Sequence, residues 1–122
     1  MTAETDFAAE AFVTEGGNAL ADGRDMDAEA SFRAALEVSP HFVPANYQLG
    51  MLHLERGRPA DGLPHLQRAA KGQPTASTLT SLGNCFEALG NYEQAILCFR
   101  PVLEKTPQNS DLSSWLNLIA DK

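Results

Sequence analysis

The sequence predicts an all-α fold, a solenoid of three helix hairpins followed by a capping helix, and three observations carry that prediction. Gly16, Gly50 and Gly83 are separated by 34 and 33 residues, and Pro40, Pro74 and Pro107 by the same two intervals. A second glycine, Gly23, Gly57 or Gly90, follows each of the first set after seven residues. Between these markers the apolar residues recur at the helical period rather than alternating, as in Leu79, Leu82, Phe86 and then Ala95, Phe99, Val102. Three copies of one two-helix unit account for all three observations, and a period of this length is characteristic of stacked repeats.

The first unit spans about residues 9–42. Thr5 and Asp6 are helix-starting residues, Phe12 and Gly16 lie on the inner stripe, and Gly23 supplies the left-handed conformation that closes a helix. Ala28, Phe32 and Ala35 form the stripe of the second helix, which Pro40 cannot continue. The second unit, about 43–75, starts on Pro44, turns at Gly57, restarts on Pro59, and carries Leu49, Gly50, Leu66 and Ala69 before Pro74. The third, about 76–109, starts near Ser77 and turns at Gly90. The break between its helices is short, so they fold back as an antiparallel pair. Pro64 and Pro101 fall inside second helices, where each removes a backbone hydrogen bond, so kinks or late helix starts are expected there. Residues 110–121 place Leu112, Trp115, Leu116 and Ile119 on one stripe and read as the capping helix of a single domain covering 1–122. Glycine and alanine at the facing positions let paired helices approach toward the near end of the usual ~8–10 Å range. Stacking then buries the face that one hairpin alone would expose.

These residues resemble the tetratricopeptide repeat family. Its pattern is matched best by Leu79, Leu82, Gly83, Phe86, Gly90, Tyr92, Ala95, Phe99 and Pro107, and in the first unit by Phe12, Gly16, Gly23, Ala28, Phe32, Ala35 and Pro40. The second unit matches at Leu49, Gly50, Gly57, Leu66, Ala69 and Pro74. It departs at Asn46 and His53, where bulky apolar residues are usual, and at Gly62, where alanine is common; the first unit has Glu15 in place of leucine. The resemblance implies a right-handed solenoid whose concave groove binds a peptide or protein. One subgroup of the family grips a C-terminal carboxylate with basic and amide side chains. The matching positions here are Val13, Gly17, Gln48, Ser77 and Ser81, with no cation among them, so that mode is disfavoured.

Charge and composition narrow the function classes. The 122 residues carry a net charge of −7, and residues 1–37 hold nine acidic side chains against two basic ones. Phosphate backbones and anionic bilayers are bound by clustered Lys and Arg, so nucleic acid and membrane are excluded as expected partners. No apolar run approaches the ~20 residues of a membrane span, and the first ten residues lack a signal-peptide pattern, which makes the cytoplasm the expected location. Cys85 and Cys98 have neither disulfide-framework nor metal spacing and are expected to be buried thiols. No phosphate loop, nucleophile elbow or metal motif is present, and His41, His53 and His65 lie twelve apart rather than four. No enzyme activity, cofactor or metal is expected. His53 falls at a core position, where a hydrogen-bonded buried imidazole is the usual outcome.

What the repeats offer is a surface. The residues one stripe over from the core on each first helix are Val13, Gly17 and Leu20, then Tyr47, Met51 and Leu54, then Thr80, Asn84 and Glu87. Tyr47, Met51 and Leu54 form a second apolar stripe, surplus to the core stripe of Leu49, Gly50 and His53, and such surplus marks partner sites. Asn84 is placed to bond a ligand backbone. The sequence thus reads as a non-catalytic interaction module for a protein or peptide segment. Two alternatives stand beside it: a scaffold that self-associates into a homo-oligomer through the exposed end of the stack, with Trp115 and Leu118, and the substrate-recruiting repeats of a larger enzyme.

Overall fold

The computed structural model describes residues 3–106 together with 108, 113, 114 and 117. Six helices follow one another: α1 (Ala3–Ala21), α2 (Asp25–Val38), α3 (Val43–Glu55), α4 (Pro59–Gly72), α5 (Ala76–Ala88) and α6 (Tyr92–Lys105). Among the described residues there is no strand. The capping helix expected over 110–121 lies outside the described residues except at Ser113, Ser114 and Asn117.

The helices pair as hairpins, α1 with α2, α3 with α4, and α5 with α6. Each hairpin turns on a glycine in the left-handed region, with φ of 76°, 73° and 78° at Gly23, Gly57 and Gly90. Side chains strain that conformation, which explains why glycine recurs there. Within each hairpin a large side chain of the second helix lies directly on a glycine of the first. A Cβ on Gly16 would lie 2.4 Å from a ring carbon of Phe32, one on Gly83 2.4 Å from Phe99, and one on Gly50 2.6 Å from Leu66. The glycines that predicted the repeat are therefore the seats of the largest fully buried second-helix side chains.

The second hairpin goes further. A Cβ on Gly62 would meet the carbonyl oxygen of Gly50 at 2.7 Å, so α3 and α4 are in backbone contact there. Gly62 is thus not the weakened contact that its departure from alanine suggests. It is required by that approach. Two other departures, Asn46 and His53, are buried as expected of core positions. The Asn46 amide donates to the carbonyls of Pro40 and Phe42, at 3.1 and 3.3 Å, and so joins the connector between hairpins to α3.

Ser77 lies in the first turn of α5, as expected, and Thr75 caps that helix: its hydroxyl accepts from the Thr78 N–H while the Thr78 hydroxyl accepts from the Thr75 N–H. This reciprocal arrangement leaves Ser77 exposed in the first turn. Pro64 and Pro101 cause no late start, since α4 begins at Pro59 and α6 at Tyr92, both upstream of the prolines. Both prolines are on the exposed side, and so are Ala60 and Leu97 one turn earlier, so water can take the carbonyls left without a donor.

The hairpins stack so that α1 touches α3 and α3 touches α5, whereas α2 does not touch α4 and α4 does not touch α6. First helices therefore line the inside of a curve and second helices splay on the outside. The stack is seamed by an ion pair between Arg56 at the end of α3 and Asp25 at the start of α2. Across the next seam the buried Cys85 thiol donates to the Pro59 carbonyl.

Candidate functional site

The inner surface is built from α1, α3 and α5, and the predicted groove residues divide between three surroundings. Tyr47 and Thr80 meet at a recess of about 380 Å³ between α3 and α5, whose rim also includes Ala76, Ser77 and Thr106. A smaller recess, about 180 Å³, is also lined by Tyr47, together with Val43, Pro44 and Thr75. The tyrosine ring is thus a wall shared by two hollows. Its neighbours Ser77 and Thr80 provide hydroxyls, and the buried Ser81 lies at the bottom of the larger one.

Met51 and Leu54 behave differently from the sequence reading. With Tyr47 they are partly buried against the cluster formed by Leu66, Leu82, Cys85 and Phe86, so this stripe is not surplus to folding. The reason is the contact between α3 and α5: a first helix packs on its own hairpin partner and also on the first helix of the next hairpin. Val13 and Leu20 are likewise packed, against Phe32, Leu49 and Leu52. Gly17 and Asn84 are exposed and Glu87 is partly so, and none of these three lines the recess at Tyr47. Phe7, near the start of α1, stands 76% exposed.

Chemistry is sparse elsewhere. Burial pushes both thiols, Cys85 and Cys98, above the ordinary cysteine value, which keeps them protonated and poorly nucleophilic. Among the described residues no cluster of three metal-ligating side chains exists, and no helix is long and apolar enough to cross a membrane. The histidines do show a feature that their spacing of twelve hid. His53 and His65 stack across α3 and α4 with ring centroids 6.1 Å apart and planes 22° from parallel. His53 departs from the expected satisfied imidazole, because its buried Nδ1 has no hydrogen-bond partner. Burial and then the Arg58 charge hold His53 below the usual histidine value; burial and then Arg68 do the same for His65. A helical-wheel reading of α3 and α4 together would have placed these rings at one interface, but the spacing along the chain does not.

Comparison with known proteins agrees with this architecture. The chain is 33% identical over 87 residues to anaphase-promoting complex subunit 3 of Schizosaccharomyces pombe, an alignment covering 70% of this chain and 13% of that protein. Among solved structures, the N-terminal domain of stress-induced protein-1 from C. elegans superimposes with a TM-score of 0.78 at 16% identity, covering 98% of this chain and 99% of that one. The O-GlcNAc transferase of Thermobaculum terrenum gives the same TM-score at 28% identity, covering 97% of this chain and 23% of the transferase. The chain therefore spans a small part of the yeast subunit and of the transferase. A family model for the tetratricopeptide repeat matches residues 13–77 and again 47–110, the two matches overlapping on the middle hairpin. Together these matches span most of the chain, and hairpins that turn on left-handed glycines and seat large side chains on small ones accord with them: the chain belongs to the tetratricopeptide repeat family.

Proposed function

We propose that the chain is a non-catalytic interaction module that takes a protein or peptide segment on the surface formed by α1, α3 and α5, with a bulky apolar side chain of the partner seated beside Tyr47. The observation that carries this reading is the pair of hollows that share Tyr47 as a lining residue, mostly apolar in their walls and edged by the hydroxyls of Ser77 and Thr80. Tyrosine is favoured at such anchors because it offers a large rigid face with a polar tip. Met51 and Leu54 act by holding α3 against the next hairpin, and Asn84 and the exposed Gly17 lie further along the same inner side. The acidic first unit favours partners with a basic flank. The footprint of one short inner surface is below the ~800 Å² per partner of a standard interface, so affinity is modest. The test places a photo-crosslinking side chain at Thr80 and, as control, at Arg100 on α6. Adducts formed from Thr80 and lost in Tyr47→Gln, with helicity unchanged, support the reading; equal adducts from both positions refute it.

A second reading is favoured by Leu97 and Tyr92, which stand 59% and 47% exposed on α6. An apolar outer side on the last hairpin suits self-association into a homo-oligomer. Light scattering over a concentration series tests it, and a monomer throughout would remove it. The 28% identity with a transferase supports a third place for these repeats, as the substrate-recruiting part of an enzyme.

A further inference from the structure

The curvature that brings first helices together opens a wedge between α2 and α4, and this wedge holds a recess of about 410 Å³. Arg33 of α2, His41 of the connector, and His65 and Arg68 of α4 stand on its walls, above an apolar floor that includes Leu36 and Leu49. Four groups that are or can become cationic thus converge in a chain whose net charge is −7. Glu37 is the carboxylate on the wall and offsets part of this charge. Folding does not employ Arg68: among the described residues it has no ion-pair partner, whereas Arg33 is held at 2.7 Å by Glu29.

The ring of His65 is fixed by its surroundings. Asn46 is fully buried and its amide nitrogen already donates to two carbonyls, so its Oδ1 faces His65 Nδ1 at 3.2 Å as an acceptor. His65 therefore carries its proton on Nδ1, and a ligand in the recess is met by Nε2. A second proton would make Nε2 a donor as well. Around this imidazole stand Arg68 on its own helix, Arg33 and Glu37 from α2, His53 from α3 and His41 from the connector. On the far side of α4, α5 brings Glu87 as its only charged residue. The Arg33 and Arg68 charges are balanced by Glu29, which holds Arg33, and by Glu37, so the position gains a cationic excess when His65 takes up its second proton.

We propose that this recess binds a phosphomonoester carried on a small apolar body, with the phosphate held by Arg33, Arg68 and His65 Nε2 and the body seated on Leu36, above the buried Leu49. Two guanidinium groups suit a dianion with three acceptor oxygens better than a single carboxylate, because each can engage a different oxygen pair. The apolar floor adds the area that a bare ion could not use. The site is open to water and screened by salt, so the dissociation constant is on the order of 1 mM at low ionic strength.

Isotope-labelled protein is titrated with phenyl phosphate, inorganic phosphate and phenol in separate NMR experiments. Phenyl phosphate should move the signals of Leu36, His65 and Arg68, inorganic phosphate should bind the same place several-fold more weakly, and phenol should not bind. Saturation should raise the titration midpoint of His65, since a bound dianion favours the imidazolium. Arg68→Gln should weaken phenyl phosphate about tenfold with no change in thermal midpoint. A phosphotyrosine peptide that binds more tightly than phenyl phosphate makes a modified protein the source of the ligand; weaker binding makes it a small molecule. No shift at these residues up to about 20 mM, unchanged affinity in Arg68→Gln, or an unmoved His65 midpoint overturns the site. Phenol binding as well as phenyl phosphate does so too, and inorganic phosphate binding equally removes the apolar body from the proposal.

Discussion

Gly16 and Gly17 are adjacent in α1 yet should respond oppositely to the same substitution. In both, alanine removes the conformational freedom of glycine from a helix interior, a gain of about 0.8–1.0 kcal/mol. At Gly17 the added methyl meets nothing within 4 Å, so that gain should appear nearly whole. At Gly16 the methyl would lie 2.4, 2.7 and 2.9 Å from three carbons of the Phe32 ring. Phe32 is fully buried, and its ring cannot yield without displacing α2 or entering a poor rotamer. Overpacking of this kind costs about 1–3 kcal/mol, leaving Gly16→Ala destabilised by about 0–2 kcal/mol. The two variants should therefore differ by about 1–3 kcal/mol. For 122 residues one kcal/mol corresponds to about 4 °C, so their melting temperatures should be about 4–12 °C apart, with Gly17→Ala above the parent. Thermal unfolding followed by circular dichroism measures both. Equal upward shifts would show that Gly16 faces open space, and would refute the seating of second-helix side chains on first-helix glycines throughout the stack.

Gly62→Ala should be more damaging still, by about 2–3 kcal/mol in urea unfolding, because the methyl meets backbone at 2.7 Å and only separation of α3 from α4 relieves it. Stability should also fall in mildly acid solution. His53 and His65 have folded values below the ordinary histidine range, so between those values and about 6.5 the unfolded chain binds more protons. Stability is then full above about pH 6.5 and is lost as pH falls through that window, at up to about 1.4 kcal/mol per pH unit for each histidine. Urea midpoints at successive pH values should show the decline, and His53→Phe should flatten it; a flat parent profile would contradict the burial of neutral imidazoles. Thr75→Ala removes one half of the reciprocal cap on α5 and should cost about 1 kcal/mol, read as earlier amide exchange in the first turn of α5 alone. Asn46→Leu should cost more than its apolar character suggests, since it leaves the Pro40 carbonyl and His65 Nδ1 without this partner; differential scanning calorimetry would show a lower midpoint.

Much of this protein was legible in the residues alone. Helical periodicity, the left-handed turns at Gly23, Gly57 and Gly90, and the small residues opposite Phe32, Leu66 and Phe99 all arise from interactions within a turn or within one hairpin, and local spacing records them. The inner position of the first helices followed from the repeat itself. What spacing does not record is the footprint of one hairpin on the next, because that depends on distances between residues some thirty positions apart. Only the stacked structure decided that Met51 and Leu54 pack against the next hairpin while Tyr47 lines two hollows. It decided likewise that Asn46 and His65 share a hydrogen bond and that a basic recess opens where α2 and α4 diverge. Burial and close approach belong to the packed assembly, and a helix carries only the side chains that make them feasible.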